Sequence, residues 1–278
     1  MPSLDSSANI HLPFPQSDWV ITLLPFAPTA INDAGLIVGV QNGLAVQYQN
    51  GKVEVLPAGP VPIFMPTAIN KHLAIVGNAG SPSAAFKWTP SDGFQFLNAQ
   101  PRRTRGEISA FVTDINDNGL AVGIIEHDLE ASPVVWLPDG NGLFRWPKTE
   151  VFGGRGNIRV NNHGDVAILD RDPTRNVSVL QFDGTVESFT TIPPALSVDA
   201  FSDEGRIIGT STVNGATRAW TFYKNQLHWL DLPDGIPWEP SGVNSCGNIV
   251  GATGGSSGVL FARPLLSRCD DAGVGGHP

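Results

Sequence analysis

Short apolar runs alternate with turn residues along most of the chain, and one arrangement of them recurs six times. In the clearest copy Ala30-Ile31 runs into Asn32-Asp33-Ala34-Gly35, and Leu36-Ile37-Val38-Gly39 follows at once. Close copies span Ala68–Gly77 and Asp114–Gly123, and weaker ones start at Arg159, Ala200 and Gly242. The Asn-equivalent positions are 32, 70, 116, 161, 202 and 244, so the spacings run from 38 to 46 residues. Each copy predicts two strands joined by a tight turn: Asn and Asp can bond their own backbone, and Gly takes a left-handed position. A third apolar run follows in every copy, at Leu44–Tyr48, Ala84–Trp88, Pro133–Trp136, Ser178–Phe182, Arg218–Phe222 and Gly258–Ala262. A second turn and a fourth run follow in five copies, at Val53–Leu56, Phe94–Leu97, Leu143–Trp146, Val186–Phe189 and Leu227–Leu230. The unit is a four-stranded antiparallel meander.

That repeat length is the range of propeller blades. The sixth copy has no fourth strand, but Val20–Pro25 precedes the first motif much as Val53–Pro57 precedes the second. Pairing this N-terminal strand with the last unit closes the ring and leaves no open sheet edge at the junction. A solenoid would repeat without needing a displaced strand. The expected fold is therefore all-β, one six-bladed β-propeller over residues 18–266, with an N-terminal extension (1–17) and a C-terminal tail (267–278). The third strands read Ala84-Ala85-Phe86-Lys87-Trp88 and Arg218-Ala219-Trp220-Thr221-Phe222. With the turn repeat, they make the chain resemble the HAF-repeat family of propellers, though the His of that triplet is absent in every blade. The resemblance implies a fold and almost nothing about catalysis. Neither a repeated Trp-Asp dipeptide nor a repeated sialidase Asp-box is present.

Composition narrows the partners. The formal charge of −9 is spread along the chain, so a nucleic-acid partner, which needs clustered Lys and Arg, is not expected. No run approaches the roughly 18 apolar residues of a membrane helix, and the first 17 residues are polar and Pro-rich. The reading is cytoplasmic, or exported if a leader was removed, and a monomer or weak homodimer. Two cysteines, Cys246 and Cys269, are too few for a disulfide scaffold, and reduced thiols are expected over the alternative of one bridge pinning the tail.

Candidate chemistry lies where the copies differ. Turns joining first to second and third to fourth strands share one face and are uniform. The other connections are long and irregular, so the binding face is expected there. Glu126-His127-Asp128 in the third copy offers acid–base groups, and Glu126 and His127 are taken as catalytic candidates. On the innermost strands Asp114 and Arg159 replace the Ala or Gly of the other copies, and Asp199 replaces Thr. These three form either an ion-pair network joining blades or a polar patch at a pocket floor. Arg103, Arg105 and Arg171 could capture an anionic ligand, with Phe64, Phe111 and Trp238 as apolar walls. No metal spacing or cofactor fingerprint is present, so no cofactor is expected. His72, His163 and His228 read as structural. Three functional classes stay open: a cofactor-independent enzyme (lyase, isomerase, cyclase or hydrolase) on a small organic molecule, a lectin-like or small-molecule binder, and a protein-interaction platform.

Overall fold

The structure is a computed structural model. It describes residues 20–262 except 58–63, 81–82, 98–107, 128–129, 141–142, 146–157, 170–175, 182–185, 190–193, 231–237 and 254–255. Six antiparallel four-stranded sheets form a six-bladed β-propeller. Blade 1 is β2 (Ala27–Ile31), β3 (Ile37–Gln41), β4 (Leu44–Gln49) and β5 (Lys52–Val55). Blades 2, 3, 4 and 5 begin with β6 (Phe64–Ile69), β10 (Ile108–Ile115), β14 (Ile158–Val160) and β18 (Ala195–Phe201), each followed by three strands in sequence order. Blade 6 is β22 (Glu239–Val243), β23 (Ile249–Ala252), β24 (Gly258–Ala262) and, outermost, β1 (Val20–Leu24). β1 pairs antiparallel with β24 from Val20↔Ala262 to Leu24↔Gly258. The displaced strand inferred from the repeat thus closes the ring.

First strands touch first strands around the whole circle, with β22 meeting β2, so they line the axis. Buried apolar clusters fill the wedges between neighbouring blades. Val122, Val135, Ile158 and Ile168 join blades 3 and 4; Leu169, Val198, Ile207 and Trp220 join blades 4 and 5. Each such fully buried side chain contributes roughly 1.5–3 kcal/mol, so the packing between blades, more than the ladders within them, holds the ring.

The Gly that ends the repeat has its own reason. In five blades the first strand carries a bulge that skips one residue: Thr29, Thr67, Thr113, Asp199 and Ser241 lie at the break. Gly39, Gly77, Gly123, Gly209 and Gly251 sit on the second strand beside that bulge. A Cβ there would overlap the facing first-strand carbonyl, and in four of the five also an aromatic ring. Blade 4 departs from this. Ile168 stands in place of Gly, and Ile158, Arg159 and Val160 pair with Ile168, Ala167 and Val166 without a break. Bulge and Gly are lost together, as steric reasoning requires.

One expectation is corrected. Cys246, 7% exposed in the turn of blade 6, is disulfide-bonded and not a reduced thiol. The chain has one other cysteine, Cys269. A count of two cysteines says nothing of whether they pair, which is why free thiols are the expectation from sequence.

Candidate functional site in the axial channel

The axial channel begins with a ring of asparagines. Asn32 Nδ2 donates to the Asn70 carbonyl in the next blade (3.1 Å), Asn70 to Asn116 (3.0 Å), Asn116 to Asn161 (3.0 Å) and Asn244 to Asn32 (3.2 Å). Each Oδ1 accepts amide bonds inside its own turn, as from Leu36, Ala74 and Leu120. The repeated Asn therefore shapes its turn and ties it to the neighbour. The ring is interrupted at blade 5: Asn161 turns to its own Asp165 (3.1 Å), and Ser202 has no amide to pass on.

A second ring lies one residue on. Asp117 accepts from the Lys71 amide, Asn162 from the Asp117 amide, Asp203 from the Asn162 amide and Asp33 from the Ser245 amide. A third ring comes from the bulge residues: Thr67, Thr113 and Ser241 hydroxyls donate to the Val112, Ile158 and Pro28 carbonyls of the following blade. Unbulged blade 4 has no such hydroxyl, and Arg159 takes its place, donating from Nε to the Asp199 carbonyl (2.7 Å).

Inside these rings lies a cavity of about 100 Å³. Its floor level holds Thr67, Thr113, Asp114, Arg159, Asp199 and Ser241, and its mouth holds Asp33, Lys71, Asp117, Asn162, Asp203 and Ser245. The innermost positions of blades 1, 2, 5 and 6 are Ala30, Ala68, Ala200 and Gly242, too small to fill the axis. The cavity lies toward the tight first-to-second turns; the long connections at the other end, where binding is expected from loop length, fall largely outside the described residues.

Three half-buried charged groups from consecutive blades meet at this level. Asp114 accepts from the Val160 amide of the next blade (3.0 Å) and from the Ile115 amide (2.9 Å). Burial nevertheless pushes its carboxyl up to about 6, against the pull of Arg159 and of those amides. Asp199 is likewise raised to about 6, chiefly by burial, with Glu239 adding a little, while the Ser197 hydroxyl and Arg159 oppose the rise. Behind Asp199, Thr210 and Ser197 hydroxyls lie 2.6 Å apart, and Ser197 donates on to Asp199 (2.7 Å). Arg159 spends two of its five N–H donors on carbonyls, Asp199 and Ile158. Among the described residues no direct ion pair joins the three. The blades are tied here through backbone groups, and the charges keep unused capacity toward the channel.

The other candidates stand elsewhere. Glu126 is exposed and pairs with Ser109, four residues beyond the Val122 partner of Asp114, or roughly 13 Å along the strand. His127, at the end of β11 (Ala121–His127), pairs with Ile108. Phe111 is 4% exposed within blade 3, and Trp238 packs on Phe261 with ring centroids 5.0 Å apart. Neither lines the cavity, and the backbone of Phe64 pairs with Ala79. Arg103, Arg105 and Arg171 lie outside the described residues. No group of three His, Cys, Asp or Glu suited to a metal ion occurs among the described residues. The backbone amides of His72 and His163 donate to Asn70 and Asn161, within their turns.

No protein-family model matches the chain, and no characterised protein matches it by sequence. The HAF-repeat resemblance rests on the repeats alone. Solved structures match well in shape. A gluconolactonase from Xanthomonas campestris has a TM-score of 0.62 at 13% identity, over 86% of this chain and 87% of that one. A luciferin-regenerating enzyme gives 0.57 at 10% identity, over 89% and 96%. YCF48 bound to a D1 peptide gives 0.52 at 13% identity, over 90% and 98%. These neighbours include enzymes and a peptide binder on one architecture, so at such identities they speak for the fold alone.

Proposed function

We propose that this propeller binds a small polar organic molecule in the axial channel and acts on it by acid–base and electrostatic means. One observation carries the reading: Arg159, with N–H donors to spare, stands between two carboxyls that both titrate near pH 6 in an otherwise uncharged floor. A group that changes protonation near neutrality is suited to giving and taking protons, and an unsaturated guanidinium suits developing negative charge. Asp199, backed by the Ser197 and Thr210 hydroxyls, is the better placed base, because Asp114 already holds two amides.

The test is a titration of 15N-labelled protein with a panel of small polar compounds, read at the Arg159 Nε resonance. Glucono-lactone belongs in the panel because a gluconolactonase shares the fold; polyols, hydroxy acids and amino acids complete it. A saturable shift in wild type, lost in Arg159→Gln, is the expected result. A panel that leaves Arg159 unmoved in folded protein sinks the reading. Conversion of a bound compound, abolished in Asp199→Asn, separates an enzyme from a binder. Glu126 and His127 are given no step in this chemistry, and His127→Ala is expected to leave it intact. The disulfide at Cys246 favours an oxidising compartment over the cytoplasm.

A further inference from the structure

We infer that the ligand of this channel is a compact zwitterion, an ammonium and a carboxylate a few bonds apart as in a small α-amino acid. The inference rests on the channel reading above and asks which charge pattern the walls accept.

The mouth is acidic, but its acids are occupied. Asp33 accepts from the Ser245 amide and hydroxyl, both at 2.8 Å. Asp117 accepts from the Lys71 amide and from Asn162 Nδ2, and sits 3.4 Å from Lys71 Nζ. Asp203 accepts twice from Asn162, at 2.6 and 2.8 Å. These groups hold blades together and have little left for a ligand, yet their charge reaches into the opening. Counting mouth and floor, five carboxylates face two cations, Lys71 and Arg159. A plain anion must therefore cross a negative field, which disfavours it.

The floor holds the unused capacity. Arg159 keeps its Nη2 pair and one Nη1 hydrogen, enough for a forked bond to a carboxylate. Asp199 keeps Oδ1, since only Oδ2 is bonded, and each oxygen of Asp114 carries a single bond. A lone amine could meet the two carboxylates but would lie beside the Arg159 cation. A lone carboxylate could meet Arg159 but would lie beside two carboxylates. Only a molecule carrying both charges satisfies both without leaving a like charge opposed. Size agrees: a cavity of about 100 Å³ has room for several waters, so the charged end of a small amino acid fits while a side chain points through the mouth.

The experiment is calorimetric titration of the full chain with glycine, alanine and serine, against acetate, methylamine, sorbitol and glucono-lactone as controls. An amino acid is expected to bind at least tenfold more tightly than acetate or methylamine. Arg159→Gln and Asp199→Asn should each cost tenfold or more, with cooperative melting retained. Asp203→Asn, at the occupied mouth, should cost less than threefold. Equal binding by acetate or methylamine overturns the inference. Binding of sorbitol or the lactone alone, with dependence on Arg159, overturns the zwitterion but leaves the channel site standing. Binding by none of the probes overturns both.

Discussion

Asp199 gives a sharp test of the site's electrostatics. Its carboxyl titrates near 6 in the folded protein against 3.8 as an ordinary carboxyl, so the folded state holds the proton more tightly than the unfolded one. A raised carboxyl is a cost at neutral pH. Stability contributed by its protonation is full below about pH 4 and is lost as pH rises through 6. Two units correspond to roughly 3 kcal/mol, and partial access to channel water brings the expected value nearer to about 2. Asp199→Asn removes the charge and keeps an amide oxygen to accept from Ser197. The variant should therefore be more stable than wild type by about 2 kcal/mol at pH 7, with that advantage shrinking toward zero by pH 4. Other carboxylates titrate over the same range, so the quantity to follow is the difference between the two proteins. Thermal melts at half-unit steps from pH 4 to 7.5 measure it, at about 2–4 °C per kcal/mol for a chain of this size. A difference that stays flat across that range refutes the argument. Asp114→Asn is a poorer probe, because its two oxygens serve two amides and Asn offers one acceptor.

Other perturbations test the frame. Ser202→Asn should let blade 5 donate to the Asn244 carbonyl as Asn32, Asn70, Asn116 and Asn244 do to their neighbours, raising stability by about 1 kcal/mol and the melting temperature by a few degrees; an unchanged melt would mean that the ring contributes nothing. Gly209→Ala places a methyl into the Ser197 carbonyl and the Trp220 ring, so a loss of at least about 3 kcal/mol or no soluble protein is expected, read by urea melts. Reducing the Cys246 disulfide should cost about 3 kcal/mol if it closes a loop of about 24 residues to Cys269, visible as a melt that drops with dithiothreitol in wild type and does not in Cys246→Ser.

How much of this was legible in the sequence follows from the range of each interaction. Turn chemistry is local, so four Asn-x-x-Gly turns, two variants of them (Asn70 to Leu73 and Ser202 to Gly205) and their spacing were enough to count blades, and the missing fourth strand pointed to β1. The terminal Gly of each repeat was visible as a pattern but not as a cause, because its reason is a bulge on the facing strand. The loss of Gly at Ile168 was a readable signal that blade 4 is built differently. The place of Asp114, Arg159 and Asp199 at the axis was legible because they break the repeat on the innermost strands, and symmetry made the comparison possible without any structure. The cavity was not legible for the opposite reason. Loop length points to the other end of the ring, while the described cavity arises where Ala30, Ala68, Ala200 and Gly242 leave the axis unfilled, which is a property of side-chain size in six strands at once.

The rings add one conclusion that neither strand pairing nor composition contains. Blades 2 and 3, 3 and 4, and 6 and 1 are each joined by all three rings. Blades 4 and 5 keep the Asn162–Asp203 and Arg159–Asp199 links after losing the asparagine one. Between blades 5 and 6, Ser202 lacks the amide, Ser245 stands where an acceptor side chain would be, and Asp199 carries an acid where the other bulged blades carry a hydroxyl. An ionised Asp199 cannot donate to the next blade, so the substitution that gives the channel its carboxylate is also one that unties this seam. On the proposed reading of the channel, function and closure compete at one residue. The ring tolerates it because Trp238, Phe261, Ile208 and Ala219 still pack across the same wedge, and burial of that size outweighs one or two net hydrogen bonds of about 1 kcal/mol each.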